Sequence, residues 1–170
     1  MVLKILLACE SGGHLTQGIY LIENLKLILE RRYGEDVEVV LLSENTKRVR
    51  ELNNPAISKK YTLSMPRFSK KLFRYLQAFF PQTFIKVARI LKSEKVDVVI
   101  STAGWVSIPT FILAKLVFGI KTVYVHSWSR VHQKSDSGRL LYYLSDLFIV
   151  QWPQLLGVYG EKAKYFGGIL

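Results

Sequence analysis

The chain has 170 residues, enough for one α/β domain and too few for two ordinary ones. Hydrophobic residues make up 49% of it, so a sizeable core can form, which argues against wholesale disorder. Lys and Arg number 24 against 13 Asp and Glu, a formal charge of +11 that suits a polyanionic partner: nucleic acid, an anionic membrane surface or a phosphorylated substrate.

The elements alternate along the chain. Val2–Cys9 is a continuous apolar run interrupted by Lys4 and reads as a buried strand. It is too short to span a bilayer, which needs about 20 apolar residues, and it lacks a signal peptide's layout. Cys9 is the only cysteine, so no internal disulfide can form; in an apolar run it reads as a buried, inert thiol, which fits the cytosol. Leu15–Tyr33 is predicted helical from the spacing of Leu21, Leu25, Ile28 and Leu29. Val37–Leu42 is a second strand, Thr46–Leu52 a short polar helix and Lys60–Leu63 a third strand. Phe68–Lys92 is helical with a break at Pro81. Asp97–Ser101 is a strand, Pro109–Phe118 a helix and Thr122–His126 a strand. A polar loop covers Ser127–Ser137, a helix Gly138–Ser145 and a last clear strand Leu147–Gln151.

Strand and helix in alternation imply a parallel sheet covered by helices on both faces, a Rossmann-like α/β fold, here as a single domain over residues 1–170. In such sheets ligands bind at the carboxyl ends of the strands. Three clusters follow strands there. Ser11-Gly12-Gly13-His14 opens the first helix, where free amides and the helix dipole favour an anion; the same residues also fit a plain turn with His14 as a cap. Gly104 and Trp105 precede a helix start, with Ser107 and Pro109 beyond; they fit either a cleft lining or a turn with Trp105 packed inside. His126, Ser127, Trp128, Ser129, Arg130 and His132 gather imidazoles, hydroxyls and a guanidinium. A base at His126 and a phosphate clamp at Arg130 are open there, as is a solvated polar loop. The dinucleotide fingerprint Gly-x-Gly-x-x-Gly and the P-loop Gly-Lys-Ser/Thr are both absent, which weighs against NAD enzymes and P-loop kinases. Three scattered histidines with no Cys or carboxylate cluster offer no metal site.

Phe68–Phe80 carries Phe68, Leu72, Phe73, Leu76, Phe79 and Phe80 on one helical face and Lys70, Lys71, Arg74 and Gln77 opposite. The pattern fits an interfacial membrane helix or a surface helix whose apolar face joins the core.

Four separated segments resemble one family. They are Ser11-Gly-Gly-His14 with Met65-Pro-Arg67; Ser127-x-x-Arg130-Val131 with Ser135-x-Ser-Gly138-x-Leu-Leu-Tyr142; Asp146-x-Phe-Ile-Val-Gln-Trp-Pro153; and Tyr159 with Ala163-x-Tyr-Phe-Gly-Gly-Ile-Leu170. The sequence resembles the acceptor-binding subunit of the dolichol-linked N-acetylglucosaminyltransferase of asparagine-linked glycosylation and its bacterial polysaccharide-biosynthesis relatives. Gly-Gly-His with Gly104-Trp-Val-Ser-Ile-Pro109 also resembles the N-terminal domain of the lipid II-forming N-acetylglucosaminyltransferase, one half of a GT-B enzyme. Where those families usually carry Glu at the end of the fifth strand, this chain has His126; where they tend to have Pro, it has Gly160.

The resemblance implies a cytoplasmic, peripheral membrane subunit of a heteromeric UDP-sugar transferase acting on a polyprenyl-phosphate-linked acceptor. No cofactor is expected, the donor being held mainly by a separate partner subunit. His14 or His126 would be the base. Ser11, Gly12, Gly13, Gly104, Trp105, Ser127 and Arg130 would hold the acceptor. Phe68, Lys70, Lys71, Phe73, Arg74, Phe79 and Phe80 would meet the membrane, and Trp152, Leu155, Tyr159 and Tyr165 the partner, the alternative being that some of these last four cap the domain's own core. The family's eukaryotic members begin with a membrane-spanning helix and this chain does not, so contact from the side is expected. The rival readings are a basic nucleic-acid-binding module and a self-sufficient small α/β enzyme.

Overall fold

Strands whose side chains are apolar on both faces need cover on both faces, and a parallel sheet with helical crossovers provides it. The computed structural model of the protein describes residues 2–64 and 76–168. Seven strands form one parallel sheet in the order β3-β2-β1-β4-β5-β6-β7. They are β1 (Val2–Cys9), β2 (Asp36–Glu44), β3 (Lys59–Leu63), β4 (Val98–Ala103), β5 (Lys121–Val125), β6 (Leu147–Val150) and β7 (Ala163–Tyr165). The described helices are α1 (Gly13–Tyr33), α2 (Lys47–Glu51), α3 (Pro81–Glu94), α4 (Ser107–Ile112), α5 (Asp136–Leu144) and α6 (Gln154–Tyr159). A 3₁₀ turn at Gln77–Phe79 precedes α3, and a turn of π-helix, Leu113–Val117, continues α4.

Successive strand residues point to opposite faces, and the core divides accordingly. Ile5, Leu7 and Cys9 pack with Val39 and Leu41 beside Leu15 and Ile22 of α1. Leu6, Ala8, Val40 and Leu42 pack with Leu91, Phe111, Tyr124 and Phe148 on the other face. The chain reverses its winding between β1 and β4, so a cleft opens at their carboxyl ends.

Local chemistry sets the helix ends. Thr46 caps α2 by accepting the Val49 amide at 3.3 Å, and Ser135 caps α5 by accepting the Gly138 amide at 3.0 Å. Pro81 starts α3 in its first turn, where a missing amide costs nothing. The sequence expectation of a break at Pro81 is met as a helix start. Two expectations differ. The helix expected from Pro109 begins at Ser107, since Pro is tolerated anywhere in the first turn. Short elements α6 and β7 follow β6, where no further clear strand was expected. Met65-Pro-Arg67 and the Phe68–Tyr75 part of the amphipathic pattern lie outside the described residues.

Phe148 is fully buried and stacks on Tyr124 at 4.8 Å between centroids, with Tyr159 at 4.6 Å on it as well. Phe148→Ala is expected to cost roughly 3–5 kcal/mol of stability, read as a lower urea midpoint with an unchanged slope.

Candidate functional site

The carboxyl ends of β1, β2, β4 and β5 converge on one cleft. From β1 come Glu10, Ser11 and the glycine loop. Gly12 has φ 88°, and α1 begins beside it with no side-chain cap, leaving first-turn amides directed to the cleft edge. The Gly12 carbonyl accepts from the Thr16 amide at 3.1 Å and from an Arg48 guanidinium nitrogen at 3.2 Å. Arg48 also donates to Thr16 Oγ1 at 2.7 Å.

From β4 comes a sharp turn. Ala103 has φ 101° and Gly104 φ 108°. A side chain at 104 would put its Cβ 2.2 Å from Glu10 Cγ, so only glycine fits. The Glu10 carboxylate accepts the Trp105 amide at 2.8 Å. Glu44, ending β2, accepts the Trp105 indole N–H at 2.7 Å on Oε1 and the Ser11 hydroxyl at 2.8 Å on Oε2. Trp105 is 1% exposed. The expectation that Trp105 lines the cleft is therefore corrected: its indole N–H needs a buried acceptor, and Glu44 supplies one. The Gly104 amide donates to Ser137 Oγ at 3.4 Å.

His126 follows β5 and is fully buried, its ring edge-on to Tyr159 at 5.3 Å and its Nδ1 3.2 Å from the Ser127 carbonyl. Nε2 is enclosed with no partner. Burial, helped by Arg130 and His14, lowers its pKa to about 4. His14 is half-buried, and its enclosed Nδ1 has no partner. Burial lowers its pKa too, with Arg130 pushing the same way and Glu44 opposing. Both imidazoles and Arg130 thus share one electrostatic neighbourhood, and both rings are neutral at pH 7. Full burial leaves His126 without direct access to a substrate hydroxyl, whereas His14 is partly exposed. Ser127 is buried, with its hydroxyl 3.0 Å from that of Ser129. Gln17, also buried, ties α1 to this loop by donating to the His126 carbonyl at 2.8 Å and accepting the Trp128 amide at 3.2 Å.

Glu10, Glu44, Gln17 and Arg48 escaped the sequence analysis. Glu10 directly follows the first apolar strand run and Glu44 lies two residues past the second, the one local signal that marked them. Of the residues expected at a partner interface, Leu155 and Tyr159 are buried in the core, and the Tyr159 hydroxyl accepts the Ser135 amide at 3.0 Å. They are corrected to core residues, because α6 packs its apolar face inward. Trp152 is half-buried and donates its indole N–H to the Trp128 carbonyl at 2.7 Å; Tyr165 is exposed. Phe79 and Phe80 are exposed, while Phe68, Lys70, Lys71, Phe73 and Arg74 lie outside the described residues. Among the described residues no helix is long and apolar enough to cross a membrane.

The fold is shared with one half of larger sugar-nucleotide enzymes. MurG of Acinetobacter baumannii superposes with a TM-score of 0.72 at 18% identity, over 98% of this chain and 45% of that one. The UDP-GlcNAc 2-epimerase of Neisseria meningitidis bound to UDP-GlcNAc does so at 0.67 and 13% identity, over 98% and 47%. The chain spans about half the length of these structures, the Rossmann-like half of a GT-B arrangement. Its sequence matches the family of Alg14-like oligosaccharide biosynthesis proteins over residues 5–169, and the chain belongs to that family. The UDP-N-acetylglucosamine transferase subunit ALG14 of Homo sapiens is 31% identical over 186 residues, spanning 99% of this chain and 83% of its own length. That of Saccharomyces cerevisiae is 26% identical, spanning 97% and 76%. Family and fold together make this chain a glycosyltransferase component.

The buried imidazole sets an acid limit on stability. Unfolded His126 takes up a proton below about pH 6.5, while the folded ring stays neutral down to about 4. Stability conferred by keeping it neutral is complete above 6.5 and falls as pH drops through that window, by about 3 kcal/mol in all. Denaturant midpoints between pH 7 and 4 should fall less steeply in His126→Gln than in the wild type.

Proposed function

We propose that this chain is the acceptor-binding subunit of a heteromeric glycosyltransferase that moves a sugar, N-acetylglucosamine or another hexose, from UDP to a polyprenyl-phosphate-linked acceptor. The observation that carries this reading is the glycine-lined α1 start beside Arg130 and His14, in a chain whose relatives are UDP-N-acetylglucosamine transferase subunits. First-turn amides of α1 and the Arg130 guanidinium suit the anionic head group of the acceptor. His14, neutral and partly exposed, takes the proton from the attacking hydroxyl, while buried His126 serves as a neutral neighbour. A separate subunit carries the donor. Trp152 and Tyr165, with exposed Phe166 beside the latter, are the anchors left for it once Leu155 and Tyr159 belong to the core.

The assembled enzyme tests this. The chain alone is expected to transfer no sugar, and addition of the sugar-nucleotide-binding subunit to restore transfer. His14→Ala should then lower the rate about 10²–10⁴-fold without unfolding the chain. Because the His14 pKa is depressed, the base form persists below pH 6.5, so the acid limb of kcat should lie below that pH. Near-normal turnover in His14→Ala would reduce that residue to part of a turn.

The membrane reading is carried by exposed Leu76, Phe79, Phe80 and Ile85, around the start of α3. An apolar patch on a +11 chain suits the anionic cytoplasmic face of a membrane. Flotation with anionic vesicles should recover the chain, less so at high salt, and Phe79→Ser with Phe80→Ser should weaken recovery without lowering the thermal midpoint.

A further inference from the structure

We propose that Glu44 is a positioning residue for the acceptor, a carboxylate strut that ties the Ser11–Gly12 loop to the Gly104–Trp105 loop; this rests on the transferase reading above. The two loops leave different strands, β1 and β4, and Glu44 belongs to a third, β2. Its two oxygens divide the work. Oε1 accepts the Trp105 indole N–H at 2.7 Å; Oε2 accepts the Ser11 hydroxyl at 2.8 Å and the Ser11 amide at 3.3 Å. Trp105 is buried and its amide is held by Glu10 at 2.8 Å, so the strut has one fixed end. Its other end is the residue before Gly12, where the chain turns into α1 and sets the direction of His14.

The chemistry requires a carboxylate. Glutamine has one acceptor oxygen, so serving the indole would turn its NH₂ toward the Ser11 amide, donor against donor. Charge matters as well as shape. His14 faces Arg130 from the β5–α5 loop, His126 from the end of β5 and Glu44 from the end of β2. Arg130 disfavours protonation of His14 and Glu44 favours it, so the strut also offsets part of the guanidinium field at the base.

The test compares Glu44→Gln, Glu44→Asp and the control Glu51→Gln, which removes an exposed charge on α2. In the full chain, NMR titration should show a lower His14 pKa and a displaced Trp105 indole N–H signal in Glu44→Gln, with neither change in Glu51→Gln. In the assembled enzyme, Glu44→Gln should lower kcat/KM for a polyprenyl-diphosphate-linked sugar roughly 10- to 100-fold, the loss of a charge-assisted hydrogen bond, and leave KM for the UDP-sugar unchanged. Glu44→Asp keeps the charge but lacks the reach; its His14 should titrate nearer the wild type while the acceptor KM still rises. A folded Glu44→Gln with unchanged His14 titration and indole signal would overturn the strut, as would a wild-type acceptor KM in Glu44→Asp. Changed NMR signals in a chain whose wild-type assembly transfers no sugar would uphold the strut and sink the transferase reading.

Discussion

Glu10 lies where any side chain at position 104 would have to be, and that contact governs the whole carboxyl edge. It permits the Ala103–Gly104 turn, in which Ala103 sits in a region of backbone space that costs a non-glycine residue roughly 1–3 kcal/mol. The surroundings offset the strain. Ser101 Oγ accepts the Ala103 amide at 3.1 Å, the Glu10 amide donates to the Ala103 carbonyl at 3.2 Å, and the Glu10 carboxylate takes the Trp105 amide. The turn throws the chain across the end of β1, buries Trp105 and starts α4 beneath the sheet. Removing the carboxylate would leave a buried amide unpaired and the turn without its clamp.

The cleft is not the basic surface that the composition suggests. Its walls hold Glu10 and Glu44 as well as Arg48 and Arg130, and its imidazoles are neutral. Positive potential there comes from these two guanidiniums and the amides of α1, all directional, and not from a diffuse excess of lysine. Such an arrangement can orient a phosphorylated group while leaving an uncharged base beside it. Among the described residues many further cations, such as Arg31, Arg32, Lys47 and Lys92, lie on exposed surface, where they act at longer range and are screened by salt.

Most of the sheet could be read in the sequence because its strands are nearly continuous apolar runs, a signal that depends on burial on both faces. β1, β2 and β4 satisfied that condition. β7 and α6 did not: three and six residues carry too little periodicity, and two of the three β7 residues are exposed. The Ser11–His14 loop was legible because glycines between a strand and a helix have a local meaning. Glu10 and Glu44 were not, since their roles exist only when strand order 3-2-1-4 sets three carboxyl ends side by side. Which side of its turn Trp105 takes was open in the sequence for the same reason: a partner for its indole N–H comes from residue 44, invisible in the local sequence. For Leu155 and Tyr159 the sequence left partner anchor and core residue both open, because α6 was not foreseen, and with it the inward face that buries them.

The central position of β1 also has a consequence in time. Its neighbours are β2, which follows within a few dozen residues, and β4, whose pairing joins Ile5 to Val98 and Ala8 to Ser101. At synthesis rates of about 5–20 residues per second, β1 waits on the order of ten seconds for its second partner. Until then one edge of this largely apolar strand is unpaired, and the cleft has only one wall. Contacts of such long sequence separation slow folding and expose an intermediate to self-association. The same strand order that gathers the site from distant segments also delays its completion until β4 has been made.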